Sequence, residues 1–280
     1  MGSQRTGRGR TARCGDSDAG RPLRPRWRRL EDRTEPAAAL GRRVGARYNA
    51  RMRPPTLARL LWPRPARDLL QRGALRFLAR PRRSVVAGLE LWAPPSVFHP
   101  GLFFSTRVFC DWILLQDLQG LAVLDLGTGS GALAIAAARN GATVTACDLN
   151  PRALVAAGAN AARAGVTLRL RAGDGYAALA PDERFDLILC NPPWFEGEPR
   201  DEAERAFRGG AGMRFVEELF AGLSSRLRDG GRLVSVLGAS ADRRRIDAIA
   251  SRHGYRPQRL CSRRVCFELQ TVDAWRLVGS

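Results

Sequence analysis

Leu121-Ala122-Val123-Leu124-Asp125-Leu126-Gly127-Thr128-Gly129-Ser130-Gly131 runs an apolar strand pattern straight into a glycine-rich turn. It predicts a strand over 121–126 and a helix over 131–140, the join at which open α/β sheets bind ligands. Gly127, Gly129 and Gly131 carry no Cβ atoms to keep a ligand from the backbone, and Thr128 sits among them. The helix start leaves N–H groups free to receive an anionic group. Asp148 ends the next predicted strand, 21 positions after Gly127, followed by Leu149. A carboxylate there suits two ribose hydroxyls, at about 1.5–3 kcal/mol per bond. Asp125, two positions before the first glycine, fits a cationic amino group better than a pyrophosphate. Asp174, in Ala172-Gly173-Asp174-Gly175, is placed to accept from an adenine amino group. Gly127-x-Gly129-x-x-Ala132 with Asp148 also satisfies the dinucleotide fingerprint, so an NAD-dependent oxidoreductase stays open at this point.

Outward from this turn, strand and helix signals alternate. Strands are predicted at 143–147, 166–171, 185–190 and 231–237, and helices at 151–164, 213–228 and 241–252. Ser240 reads as the N-cap of the last helix, Gly254 lies just past its end, and His253 reads as its C-terminal cap. Near-continuous apolar strands between helices argue for a mostly parallel, doubly wound sheet of seven strands covered on both faces. Residues 255–261 and 264–270 read as an antiparallel hairpin at its edge. Upstream, Val85 to Trp92 reads as one strand ended by Pro94-Pro95. Ser105 reads as the N-cap of a helix from about Thr106 to Asp117.

The strand pattern Phe185 to Cys190 ends in Asn191-Pro192-Pro193-Trp194. A planar amide or base amine is a weak nucleophile because its lone pair is delocalised. The Asn191 side-chain oxygen and the Pro192 carbonyl can accept its two N–H bonds and aim the lone pair at an electrophile. Pro192 and Pro193 stiffen the loop while leaving their carbonyls free as acceptors. Trp194 offers a flat apolar face for stacking. Positioning and electrostatics of this kind need no strong base. The two histidines fit that economy: His99 lies in a loop and His253 at a helix end.

All 46 basic residues are Arg, and the net charge is +19 over 280 residues. Residues 1–90 hold 23 Arg against 7 acids, so the basic excess belongs to the N-terminal region and the body is nearly balanced. Residues 1–51 read as an Arg-rich disordered extension. Residues 52–84 read as a short helical lead-in, and 85–275 as the catalytic domain. The extension also leaves open a non-catalytic module that holds RNA by its basic arm. The six Cys form no C-x-x-C pair and have no His at zinc spacing, so no metal site is expected. Buried reduced thiols suit a cytoplasmic compartment. No apolar run is long enough to span a membrane, and oligomeric state is not legible.

Asp125 to Gly131, Asp148, Asp174 and Asn191 to Trp194, in that order, resemble the motifs of class I S-adenosylmethionine-dependent methyltransferases. More narrowly they resemble the branch carrying an Asn-Pro-Pro-aromatic motif. That branch includes release-factor glutamine methyltransferases, adenine-N6 methylases and rRNA guanine-N2 methyltransferases. The resemblance covers about residues 85–270. It implies S-adenosyl-L-methionine held by Asp125, Gly127, Thr128, Gly129, Gly131, Asp148, Leu149, Asp174 and Asn191. It also implies catalysis by Asn191, Pro192, Pro193 and Trp194. The expected acceptor is a protein glutamine amide, with an RNA or DNA base amine as the alternative. Phe98, Pro100, Phe103 and Thr106 match the region that covers the donor in this family. Trp194 stands where the glutamine enzymes usually carry Tyr, and Phe195 to Gly212 match no substrate family.

Overall fold

The computed structural model describes residues 80–101, 104–265 and 268–278. The expectations for 1–51, for 52–79 and for Phe103 lie outside the described residues. The chain forms β1 (Arg82–Val86), β2 (Leu89–Ala93), α1 (Phe104–Ile113), β3 (Ala122–Leu126), α2 (Ala132–Arg139), β4 (Thr143–Asp148) and α3 (Pro151–Ala164). It continues with β5 (Arg169–Ala172), β6 (Phe185–Cys190), α4 (Glu202–Arg205), α5 (Arg214–Leu223) and β7 (Leu227–Gly238). It ends with α6 (Arg243–Arg252), β8 (Tyr255–Val265) and β9 (Glu268–Leu277). The expected doubly wound sheet is present: seven strands in the order β5-β4-β3-β6-β7-β9-β8, with β9 the one antiparallel to its neighbours.

Strand alternation sorts the core onto two faces. Val123, Leu187, Leu189, Val234 and Val272 point toward α1 and α2. Leu124, Ile188, Leu233 and Trp275 point toward α5 and α6. Helix α5 contributes one apolar stripe, whereas α2 is buried at six consecutive positions, Ala132 to Ala137. In α5, Val216, Leu219, Phe220 and Leu223 are fully buried at helical spacing, each contributing about 1.5–3 kcal/mol. Covered on both faces, the sheet's open chemistry is confined to the carboxyl ends of β3, β4 and β6.

Several boundaries move for local reasons. The single strand expected over 85–92 is a hairpin, because Ala87 (φ 51°) and Gly88 (φ 77°) both turn left-handed between β1 and β2. This hairpin is a separate two-stranded sheet, fastened to α3 by Asn160, whose side chain exchanges hydrogen bonds with both backbone groups of Trp92. Helix α1 starts before Ser105, which lies inside it, and stops at Ile113. The strand expected over 166–171 is confined to 169–172, and the helix expected to 228 ends at Leu223. Strand β7 begins earlier than expected, at Leu227, because a bulge absorbs Asp229-Gly230-Gly231. There a Cβ on Gly231 would stand 2.9 Å from the Phe185 carbonyl oxygen. Asp242, not Ser240, caps α6, its carboxylate accepting from the Arg245 N–H at 3.2 Å. The edge hairpin is longer than expected, because β9 continues to Leu277 as the antiparallel neighbour of β7.

Candidate active site

A cavity opens at the carboxyl ends of β3, β4 and β6, lined by Gly127, Thr128, Gly129, Asp148, Leu149 and Asp174. Asn191, Pro192 and Pro193, which follow β6, line the same cavity. The tertiary fold thus brings these nine residues from four separate segments into one concavity.

Asp148 is half-buried. Its carboxylate accepts from the Gly129 N–H at 2.8 Å and the Asn150 N–H at 2.9 Å, so it stiffens the glycine turn while facing the cavity. Burial raises its pKa, opposed by those backbone bonds. Each carboxylate oxygen has a further lone pair for a ligand hydroxyl. Asp174 is exposed at the rim and makes no side-chain capping bond. Asn150 caps α3 by accepting from the Arg152 N–H at 2.9 Å and donates to the Ser96 carbonyl at 3.1 Å, fixing the 96–100 loop over the cavity. Phe98, Pro100 and Thr106 line the same space, and the Phe98 ring meets Phe207 with centroids 5.5 Å apart.

Two of the expected donor contacts have a different geometry. Asp125 is fully buried behind the turn rather than lining the cavity. Its Oδ2 accepts from Thr128 Oγ1 at 2.7 Å and the Ala134 N–H at 3.1 Å, while its Oδ1 has no hydrogen-bond partner. Burial pushes this carboxyl up to about 7. Gly131 (φ 84°) faces α3, where a Cβ would stand 3.0 Å from the Cα and Cβ of Ala157. Its missing side chain serves helix packing rather than ligand approach.

Asn191 directly follows β6, with its Nδ2 donating to Ser105 Oγ at 3.4 Å, which leaves Oδ1 as the free acceptor. Among the described residues no backbone N–H donates to the Pro192 carbonyl. Trp194 departs from the sequence expectation. It is buried in the core on the α5–α6 face, does not line the cavity, and donates from Nε1 to the Val236 carbonyl at 2.7 Å. An indole turned into the core cannot stack on an acceptor, because its polar edge is satisfied by β7.

The segment after it, opaque in the sequence, folds back as a flap. The Phe195 N–H donates to the Phe207 carbonyl and the Gly209 N–H to the Phe195 carbonyl, so residues 195–210 pair on themselves. A Cβ on Gly209 would meet the Pro193 oxygen at 2.7 Å, so glycine lets the flap close on the Asn-Pro-Pro loop. Glu202, Arg205, Arg208, Arg214 and Phe215 then line the cavity with the Asn-Pro-Pro loop. Hydrophobic periodicity carries no signal for such a flap. Paired glycines at 209 and 210 are the one local hint.

Other nucleophiles are poor candidates. Cys147 lines the cavity, but burial pushes its thiol up to about 12. His99 is buried, and desolvation lowers its pKa. His253 is the C-cap of α6 and meets Glu217 at 3.1 Å. No group of three or more His, Cys, Asp or Glu side chains clusters as a metal site among the described residues.

The family model described as "Methyltransferase small domain" matches residues 89–249, more than half of the chain, and the chain belongs to that family. That membership decides between the methyl-donor and dinucleotide readings in favour of the former. The chain is 42% identical over 133 residues to a release factor glutamine methyltransferase of Bordetella pertussis, covering 42% of this chain and 49% of that one. It is 32% identical over 191 residues to a ribosomal protein L11 methyltransferase of Methylococcus capsulatus, covering 60% and 57%. The chain thus spans about half the length of these relatives. In fold it is similar to the T. thermophilus 16S rRNA N2 G1207 methyltransferase, with TM-score 0.52 and 24% identity over 71% of this chain and 50% of that one.

Proposed function

We propose that the chain transfers a methyl group from S-adenosylmethionine to a planar NH2 group, and that the acceptor is a protein glutamine. The observation that supports this reading is the cavity that Asp148 and Asp174 share with Asn191 and Pro192. The residues fit the donor. Asp148 suits its ribose and Asp174 its adenine. The bound donor supplies an electrophilic methyl carbon. Asn191 Oδ1 and the Pro192 carbonyl then accept the two N–H bonds of the acceptor, which orients its lone pair and favours the positive charge that develops on nitrogen. Ser105 holds the Asn191 amide in that sense. The 96–100 loop and the flap both line the cavity.

The flap's charge favours a protein acceptor over nucleic acid. Residues 195–214 hold five acids against four Arg. Three of those arginines are engaged by carboxylates of the flap itself: Arg200 and Arg208 by Glu204, and Arg214 by Glu198. A mouth so neutralised attracts phosphates weakly. The release-factor names of the relatives point the same way. Among the described residues no helix is long and apolar enough to cross a membrane, and Cys110, Cys147, Cys190 and Cys261 are free thiols. The free thiols suit a reducing compartment, and on that ground we propose the cytoplasm. The test is incubation of the full chain with methyl-labelled donor and, separately, a release factor and total RNA. Label on a release-factor glutamine, located by mass spectrometry, is expected. Label in RNA alone overturns the protein acceptor.

A further inference from the structure

Charge in the described residues is divided sharply along the chain. Residues 80–242, which build the cavity and most of the sheet, hold 17 Arg against 18 acids. Residues 243–278, which are α6 and the β8–β9 hairpin, hold nine Arg against three acids. The whole positive excess of the described residues therefore sits on one edge of the sheet.

The topology brings part of that excess to the end where the cavity opens. Strand β9 is antiparallel to both β7 and β8, so β8 runs parallel to β7 and ends at the carboxyl side of the sheet. Arg263 and Arg264 lie at that end. Arg243, Arg244 and Arg245 follow the end of β7 directly. Arg245 joins Glu196 of the flap at 2.5 Å, and Ser240 joins Glu268 beside the hairpin turn at 2.9 Å. The basic edge is thus continuous with the flap.

Within it, Arg243, Arg245, Arg259 and Arg263 are engaged by Asp247 and Asp273, Glu196, Asp273 and Asp111. Arg244 and Arg264 are exposed and have no ion-pair partner among the described residues. Helix stability does not account for three arginines at the start of α6, where the dipole disfavours cations and no acid sits in the first turn. Nor does edge protection require this many. One or two charges keep a strand from pairing with another chain, yet β8 carries Arg256, Arg259, Arg263 and Arg264 without an acid.

We propose that the edge formed by the start of α6 and the end of β8 docks the phosphate backbone of RNA beside the acceptor mouth, with Arg244 and Arg264 as the principal phosphate contacts. This goes beyond the choice of acceptor: the mouth is electrically neutral, and the RNA is a partner held next to it. Guanidinium groups suit the role, since each offers a planar fork of donors to phosphate oxygens.

The experiment uses the full chain, so the N-terminal arginines contribute equally to every sample. Fluorescence anisotropy with a labelled single-stranded RNA is titrated across salt for the wild type and R244E/R264E. A control, R139E/R169E, carries the same charge change on exposed arginines away from this edge. The expected result is at least about tenfold weaker RNA binding for R244E/R264E, and a log–log salt slope shallower by about 1.4 from two lost phosphate contacts. The control should move affinity by less than about threefold. Equal weakening in the two variants, or none in R244E/R264E, overturns the proposal. Calorimetry with the methyl donor, expected to be unchanged in R244E/R264E, keeps this outcome separate from failure of the methyltransferase reading.

Discussion

Replacing Asp125 by Asn should remove a pH dependence of folding that the structure makes large. The Asp125 carboxyl is fully buried, one oxygen lacks a partner, and burial raises its pKa from 3.8 to about 7. Below about pH 4 the group is protonated in both folded and unfolded chains and contributes no slope. Between about pH 4 and pH 7 the unfolded chain ionises while the folded one stays protonated, so native stability falls as pH rises. The slope is about 1.4 kcal/mol per pH unit, and above about pH 7 both states are charged and it vanishes. Asn has the shape of the protonated acid and can still accept from Thr128 and Ala134, so it serves as the reference without the titration. From about pH 5 to about pH 7 the wild type should lose about 2 kcal/mol relative to Asp125→Asn. Urea unfolding of both proteins at matched ionic strength measures the difference. Parallel stability curves across that range would refute the idea that Asp125 folds as a neutral acid.

Three further outcomes follow from the geometry. Asn191→Ala should lower kcat about 10²–10³-fold, with a much smaller effect on donor affinity, because the lost acceptor acts on charge that develops only during transfer; full activity would refute the clamp. Trp194→Phe should lower stability by about 1–3 kcal/mol, because the Val236 carbonyl loses its buried indole donor. Its KM for the acceptor should stay unchanged in the folded protein, and a raised KM with intact stability would restore the stacking role. Gly131→Ala should lower stability by at least about 1–2 kcal/mol, read as a drop in Tm, since alanine there must be left-handed and press on Ala157.

The sequence made the α/β order legible because each central strand is buried on both faces and reads as an unbroken apolar run. Strand 185–190 and helix 151–164 have the expected bounds for that reason. Boundaries slipped where local geometry competed with pattern. The Ala87-Gly88 turn splits what reads as one strand, and Asp242 outcompetes Ser240 because its carboxylate reaches the Arg245 N–H.

The cavity residues at 127–129, 148–149, 174 and 191–193 were legible for a different reason. A ligand-binding turn needs special backbone at strand ends, and glycine, proline and short carboxylates are the residues that supply it. What one dimension cannot carry is the direction in which a side chain faces. Trp194 follows Pro193 immediately, yet the chain turns it into the core while Pro193 borders the cavity. Asp125 is two positions from Gly127, yet strand alternation puts it behind the turn. The flap over residues 195–210 and the gathering of arginines from α6 and β8 onto one rim join residues far apart in the chain. Their contacts exist only once the sheet is assembled. The sequence by itself determined the chemistry available at the strand ends. Tertiary packing decided which of those groups face the cavity, because the core claims any side chain on its side of the sheet first.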